Sequence, residues 1–141
     1  MEITKELLQG YRSKKDEIAE LDWVLRHRWQ DEGMIGNNVV FDYRKGYPRP
    51  QSVIGFDYDR YDRLQDRDNA KKALLEQECE EIENWVEEIP DSLTRRIFRL
   101  TFIQGRKQKE VAKAISLDRS RISRKIDEYI ENAHKAQNAH V

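Results

Sequence analysis

Arg119, Ser120, Arg121, Ser123, Arg124 and Lys125 fall within seven consecutive positions, and the only apolar residue among them is Ile122. Four cations and two hydroxyls at that density suit the reading of base edges in duplex DNA. An arginine fork pairs bidentately with guanine, and a serine hydroxyl donates or accepts. Just upstream, Arg106, Lys107 and Lys109 supply cations of the kind that hold backbone phosphates. The plain alternative is a solvated basic face on a helical bundle. Catalysis has no comparable constellation: no nucleophile stands beside a base in a recognisable motif, and Gly-rich phosphate loops and His-Glu metal motifs are absent from the sequence. His27, His134 and His140 have no ligand spacing, and Cys79 is the single cysteine. The sequence reads as a non-enzyme that calls for no cofactor and no metal.

Such a cluster needs a helix to present it. Asp91 to Ala136 divides into three helices by its own stop signals. Asp91 caps the first, which carries Leu93, Ile97, Leu100 and Gln104 on one face with Phe98 and Phe102 beside it, and Gly105 ends it as a left-handed cap would. The second runs from Gln108 to about Ile115 with Val111, Ala112 and Ile115 facing inward. After Ser116-Leu117-Asp118, Asp118 caps a third helix whose inner stripe is Ile122, Ile126, Tyr129 and Ala133. A short helix, a three-residue turn and a longer helix form a helix-turn-helix arrangement, which presents the start of its last helix to the major groove. Arg95, Arg96 and Arg99 surround the apolar face of the first helix, where solvent or phosphate contact is expected rather than base reading.

Gly105-Arg106-Lys107-Gln108-Lys109-Glu110-Val111-Ala112, followed by Leu117-Asp118-Arg119-Ser120-Arg121-Ile122, resembles region 4 of sigma-70-type factors, and is especially similar to phage late-gene transcriptional activators of the RinA/ArpU type. The resemblance covers about the last fifty residues. Over the first ninety it is architectural, apart from a family-like Lys14-Lys15-Asp16-Glu17-Ile18 start. It implies an N-terminal helical part interrupted by a loop, ahead of a sigma-like helix-turn-helix. Two residues depart from the family. Lys107 stands where Ser or Thr usually caps the second helix, which forfeits ~1 kcal/mol of capping and sets a cation against the helix dipole; Glu110 offers half a capping box in return. Ser116 stands where many such turns place glycine.

The first ninety residues must support this end. Leu7, Tyr11, Ile18, Leu21 and Leu25, with Lys14 filling a step, keep one stripe on a helix expected over 4–31, and Trp23 and Trp29 lie off it. Gly33, Gly36, Gly46 and Gly55, with Pro48 and Pro50, interrupt the helical period from Gly33 to Arg60. Val39-Val40-Phe41 and Val53-Ile54 allow a loose hairpin, but the connection is long and proline-rich, so the segment reads as an ordered or half-ordered loop. Its Tyr43-to-Pro50 part, with Arg44, Lys45 and Arg49, reads as a surface loop, or as an arm for a minor groove or a partner. A second helix is expected over 61–88, with Leu75, Cys79, Ile82, Val86 and Ile89 as a heptad seam and Asp68 and Lys72 in its upstream register. Periodicity leaves open whether the seam pairs within the chain or with a second copy. The expected fold is therefore all-α: a long-helix hairpin with an irregular loop over 1–90, and a three-helix helix-turn-helix domain over 91–141.

Charge agrees with that division of labour. The 141 residues are 38% charged with a net charge of -1, yet 1–90 holds 14 basic and 21 acidic residues while 91–141 holds 12 and 6. The basic end suits a polyanion. No apolar run approaches the ~18 residues of a membrane span, and the first ten residues lack the apolar core of a secretory signal, so a soluble, cytoplasmic protein is expected. The leading expectation is a sequence-specific transcriptional regulator that binds double-stranded DNA, of the late-gene activator kind. It would work as a homo-oligomer, a dimer above all, with RNA polymerase as a further partner. The rivals are a small-terminase-like packaging subunit, for which native mass spectrometry would find a ring, and a sigma-like module that binds RNA polymerase without touching DNA. Operator, sign of regulation and oligomeric state are not written in the sequence.

Overall fold

Thr4 opens the first helix, because its hydroxyl accepts the Leu7 N–H at 3.1 Å. The computed structural model describes residues 2–42, 46 and 49–138, with the backbone alone for 37–42 and 49–54. The helix expected over 4–31 is two helices, α1 (Lys5–Gln9) and α2 (Tyr11–His27). Gly10 between them stays right-handed (φ -82°, ψ -6°). Its N–H reaches the Glu6 carbonyl at 3.0 Å and its carbonyl takes the Lys14 N–H at 3.1 Å, so hydrogen bonding runs on through the junction. A 3-10 turn, Arg28–Gln30, ends the segment.

The irregular loop expected after it is instead an antiparallel ribbon of β1 (Ile35–Asp42) and β2 (Arg49–Phe56), in register from Ile35 opposite Phe56 to Asp42 opposite Arg49. Pro50, which argued against a strand, stands opposite Phe41. A two-stranded ribbon has only edges, and an edge strand tolerates a residue without an N–H. The fold is mostly helical, consistent with the all-α expectation, and carries one small antiparallel sheet where an irregular loop was expected. The proposed arm falls largely outside the described residues, at 43–45 and 47–48, as does His140.

Four further helical elements follow: α3 (Tyr58–Glu87), α4 (Ser92–Phe98), α5 (Gln108–Ile115) and α6 (Arg119–Asn138). Asp91 caps α4 as expected, its carboxylate accepting both the Thr94 N–H (3.0 Å) and the Thr94 hydroxyl (2.6 Å). These bonds hold the Asp91 carboxyl below its usual range. A single π-helical turn, Arg99–Ile103, continues α4 and closes with Arg106 N–H to the Leu100 carbonyl at 3.0 Å. Gly105 takes the left-handed conformation (φ 64°) that ends it. No described helix is long and apolar enough to cross a membrane.

The chain divides into two compact units, 1–18 with 74–141, and 19–73. These units do not part at residue 90. The cause is the seam of α3: Cys79, Ile82, Val86 and Ile89 join one apolar cluster with Leu8 and Tyr11 from the N-terminus and with Ile97, Phe98, Phe102, Val111, Ile115, Ile122, Ile126 and Ile130. The three C-terminal helices thus share their core with both flanking helices. Burying Ile82, Ile97, Val111 and Ile122, all 0% exposed, contributes about 1.5–3 kcal/mol each. Rings of Trp85, Phe98 and Tyr129 meet edge-on or tilted at centroid separations of 5.4–5.6 Å. Lys14, the polar step in the first stripe, pairs with Glu78 at 2.9 Å, and the buried Tyr11 hydroxyl donates to Glu83. Burial, reinforced by that acceptor, pushes the Tyr11 phenol far above its ordinary value.

The second unit is held differently. Asp68 and Lys72, which broke the seam, face polar partners on α2: Lys72 meets Asp22 at 3.0 Å, and Arg28 pairs with Asp68, both buried. Gln65 accepts from Arg28 at 2.6 Å and donates to the Leu25 carbonyl at 3.3 Å. Here α2 and α3 run antiparallel through ionic contacts where the sequence offers no apolar stripe on α3. Trp23 and Trp29, which lie off the first stripe, are 62% and 59% exposed.

Candidate nucleic-acid interface

The apolar positions of α5 and α6 decide what is left outside. Val111 and Ile115 anchor α5, and Ile122, Ile126 and Ile130 anchor α6, all buried; Ala112, Leu117 and Tyr129 pack partly buried against the same cluster. The expected inner stripe of α6 is thus corrected in one place, with Ile130 carrying the burial beside a half-buried Tyr129. Gln104, expected on the inner face of the first helix, is exposed, because the π-helical turn shifts the angular register after Phe98.

Between the helices, Ser116 adopts the left-handed conformation (φ 62°, ψ 40°), the one non-glycine among the described residues to do so. The N–H groups of Ser116 and Leu117 both return to the Ala112 carbonyl. A turn that usually takes glycine is here made by serine, at the cost of strain at its Cβ. The Asp118 carbonyl starts α6 by accepting the Ile122 N–H at 3.0 Å; its carboxylate caps nothing, so the side-chain cap expected there is not formed. At the start of α5, Lys107 occupies the capping position in extended geometry without a side-chain bond. Its carbonyl takes the Glu110 and Val111 N–H groups at 2.9 and 3.1 Å. The Glu110 side chain is exposed and does not reach back, so the half capping box is absent too.

The expected site residues then fall as follows. Arg119, Ser120, Arg121 and Arg124 are exposed on the first two turns of α6, and Ser123 and Lys125 are half-buried beside them. Arg106, Lys107 and Lys109 are exposed at the entry to α5. Among the described residues, none of Arg119, Arg121, Arg124, Lys107 and Lys109 is tied to a carboxylate, and Arg106 spends only its Nε, on Gln104 Oε1 at 2.8 Å. Elsewhere in the same unit cations are engaged: Lys5 with Asp127 at 2.8 Å, Arg95 with the Ile89 carbonyl at 2.8 Å, and Arg99 bidentately with Glu87 at 3.0 and 2.9 Å. The Arg99 fork holds the Glu87 carboxyl below its usual range. Unpaired cations are thus concentrated where an outside anion can meet them.

One further cation that the sequence did not point to stands at the Gly105 turn. Arg12, from α2, packs its side chain over Gly105, where an added Cβ would stand 3.1 Å from the Arg12 Cγ, and its Nη1 donates to the Ile103 carbonyl at 3.3 Å. No periodicity links positions 93 residues apart. Among the described residues no group of His, Cys, Asp and Glu side chains comes together to hold a metal ion. The chain matches no protein-family model, no curated protein and no solved structure.

Proposed function

We propose that the chain is a sequence-specific, double-stranded DNA-binding transcriptional regulator, of the kind that activates phage or prophage late genes, with α5, the turn at Ser116–Asp118 and α6 as a helix-turn-helix. The observation that carries the reading is the unpaired, exposed set Arg119, Arg121 and Arg124 on the first turns of a helix whose opposite face is anchored by Ile122 and Ile126. Guanidinium groups in that position are free to meet base edges, while Arg106, Lys107 and Lys109 meet phosphates. The likeness of 105–122 to sigma-70 region 4 supports the same reading.

One such module makes few base contacts, and pairing on half-sites is the usual route to affinity. The heptad seam of α3 does not serve that pairing, since its apolar residues are buried within the chain. We assign contact with a second copy or with RNA polymerase to the 19–73 unit, where Trp29, Ile35 and Phe56 line an open cleft of 420 Å³.

Selection of bound fragments from random duplex DNA at a stated salt concentration tests the reading. A defined motif is expected. Arg121→Ala with Arg124→Ala lowers preference for it by ~1–3 kcal/mol per lost bidentate contact, and Lys109→Ala weakens all sequences alike. Recovery of no enriched sequence, together with no retention of duplex at low salt, refutes it.

A further inference from the structure

We infer that the turn between α4 and α5 holds a further anion site, formed by Arg96 and Arg106 beside Arg99 with Arg12 at the neighbouring Gly105, which takes a backbone phosphate of duplex DNA. The inference rests on the DNA-binding reading above and extends it to elements outside the helix pair. On one side of the turn lies a concavity of 260 Å³ lined by Arg96, Arg99, Leu100, Gln104, Arg106 and Ala114. Three guanidinium groups and no carboxylate line it. At ~30 Å³ per water it has room for a tetrahedral oxyanion with part of its hydration shell.

The donors are available. Arg96 is exposed and its side chain makes no hydrogen bond or ion pair, and the single bond from Arg106 Nε to Gln104 fixes that side chain while leaving both terminal nitrogens unused. Arg99 lines the same concavity, but its fork is held by two bonds to Glu87 and its charge is largely compensated there. Arg12 approaches the same turn from α2 with its stem over Gly105. Any side chain at 105 would displace it, and the left-handed backbone there (φ 64°) already favours glycine. Arg96 and Arg106, the uncompensated cations lining one concavity, repel one another unless an anion joins them. The site continues directly into Lys107 and Lys109, and duplex DNA presents a negative charge every ~1.7 Å along its axis, so a row of cations meets a row of phosphates. Arginine forks fit a phosphate's paired oxygens.

The test uses the full chain and a short random-sequence duplex over a series of NaCl concentrations. Losing one phosphate contact makes the slope of log affinity against log salt shallower by ~0.9, which is about eightfold in affinity at 0.1 M. That change is expected for Arg96→Gln alone, the proposed function having already given Arg106 a phosphate, with a smaller one in the same direction for Arg12→Gln. Arg63→Gln, which removes an exposed cation of α3, leaves the slope where it was. In the wild-type chain the Nε–H resonances of Arg96 and Arg106 shift on addition of the same duplex, a readout that needs no variant. An unchanged slope or unmoved resonances, in a chain that still binds duplex, overturns this inference and leaves the DNA-binding reading standing. Failure of the wild-type chain to bind duplex at low salt overturns both.

Discussion

On the proposed function, Lys107→Ser is expected to raise stability and to lower DNA affinity. In the wild-type chain the capping position of α5 has extended geometry, φ -65° and ψ 146°, already suited to a capping side chain, but lysine offers no acceptor to the first-turn N–H groups. Neither Glu110 nor another side chain substitutes for it. A serine hydroxyl supplies that acceptor, contributing ~1 kcal/mol. Removing a cation from the positive end of the helix dipole adds ~0.3–1 kcal/mol. Together they stabilise the fold by about 1–2 kcal/mol, which for a chain of this size raises the melting temperature by about 3–6 °C. If Lys107 meets a phosphate, the same change costs about eightfold in duplex affinity at 0.1 M salt. Thermal melts followed by circular dichroism and duplex titrations at fixed salt read the two effects separately. A stabilised variant that binds DNA as well as the wild type, or better, refutes the phosphate role. A variant no more stable than the wild type refutes the capping argument.

Ser116→Gly relieves the left-handed strain at φ 62° and, after glycine's own entropy cost, stabilises by about 0.5–1 kcal/mol, visible as a higher melting temperature; a destabilised variant contradicts the turn geometry. Arg28→Met leaves Asp68 buried with only the largely exposed Arg67 beside it and costs about 3 kcal/mol in a denaturant titration, whereas Arg28→Met with Asp68→Leu recovers most of that loss. Stability also carries a pH signature. Asp22, Asp68, Glu87 and Asp91 are held below their ordinary values chiefly by hydrogen bonds from Lys72, Arg67, Arg99 and Thr94 respectively. Their contribution is present above the unfolded carboxyl range near ~4 and is lost as pH falls through the lowered folded values. Tyr11 and Tyr129 are raised by burial, so their contribution is present below ~10 and is lost as pH climbs toward the raised folded values. The melting temperature is therefore expected to hold between pH 5 and 9, in round figures from those limits, and to fall on both sides; a steady slope across neutral pH contradicts these assignments.

The C-terminal helices were legible from the Asp91 cap, the Gly105 stop and the apolar spacing, even though Lys107, Ser116 and Asp118 depart from the expected caps. Asp91 and Gly105 bracket one helix, and the spacing of Val111, Ile115, Ile122 and Ile126 fixes which faces of the next two are buried. Helix α3 was legible as a helix but not in its partners, since a heptad seam specifies only that something apolar covers it. Leu8 and Tyr11 from one end of the chain and Phe98 from the other share that role. The β ribbon was hidden by Pro48, Pro50 and a long connection, all of which weaken the alternation that marks strands; its eight cross-strand pairs reflect pairing over a distance that local propensity does not report. Arg12 could not have been read from the sequence, because its place beside Gly105 depends on how α2 meets the C-terminal helices within one unit.

The charge asymmetry takes on a different meaning once the units are known. Residues 74–90 hold seven glutamates and no basic residue, while 91–141 holds 12 basic residues against 6 acidic ones. Both stretches belong to the same compact unit, so acid and base are segregated on one body and not divided between an acidic module and a basic one. The glutamates lie on α3, the helix whose Ile82 and Val86 lie in the shared core, and one of them, Glu87, already engages Arg99. The cations of α5 and the first turns of α6 remain unpaired. A body with so small a net charge gains little from overall attraction to a polyanion, but separated charges orient it on approach. The acidic surface of α3 repels a phosphate backbone while the α5–α6 surface attracts one. On the proposed function, α3 therefore does two things: its apolar seam supports the helices of the interface, and its exposed glutamates disfavour the approach of a phosphate backbone along its own side.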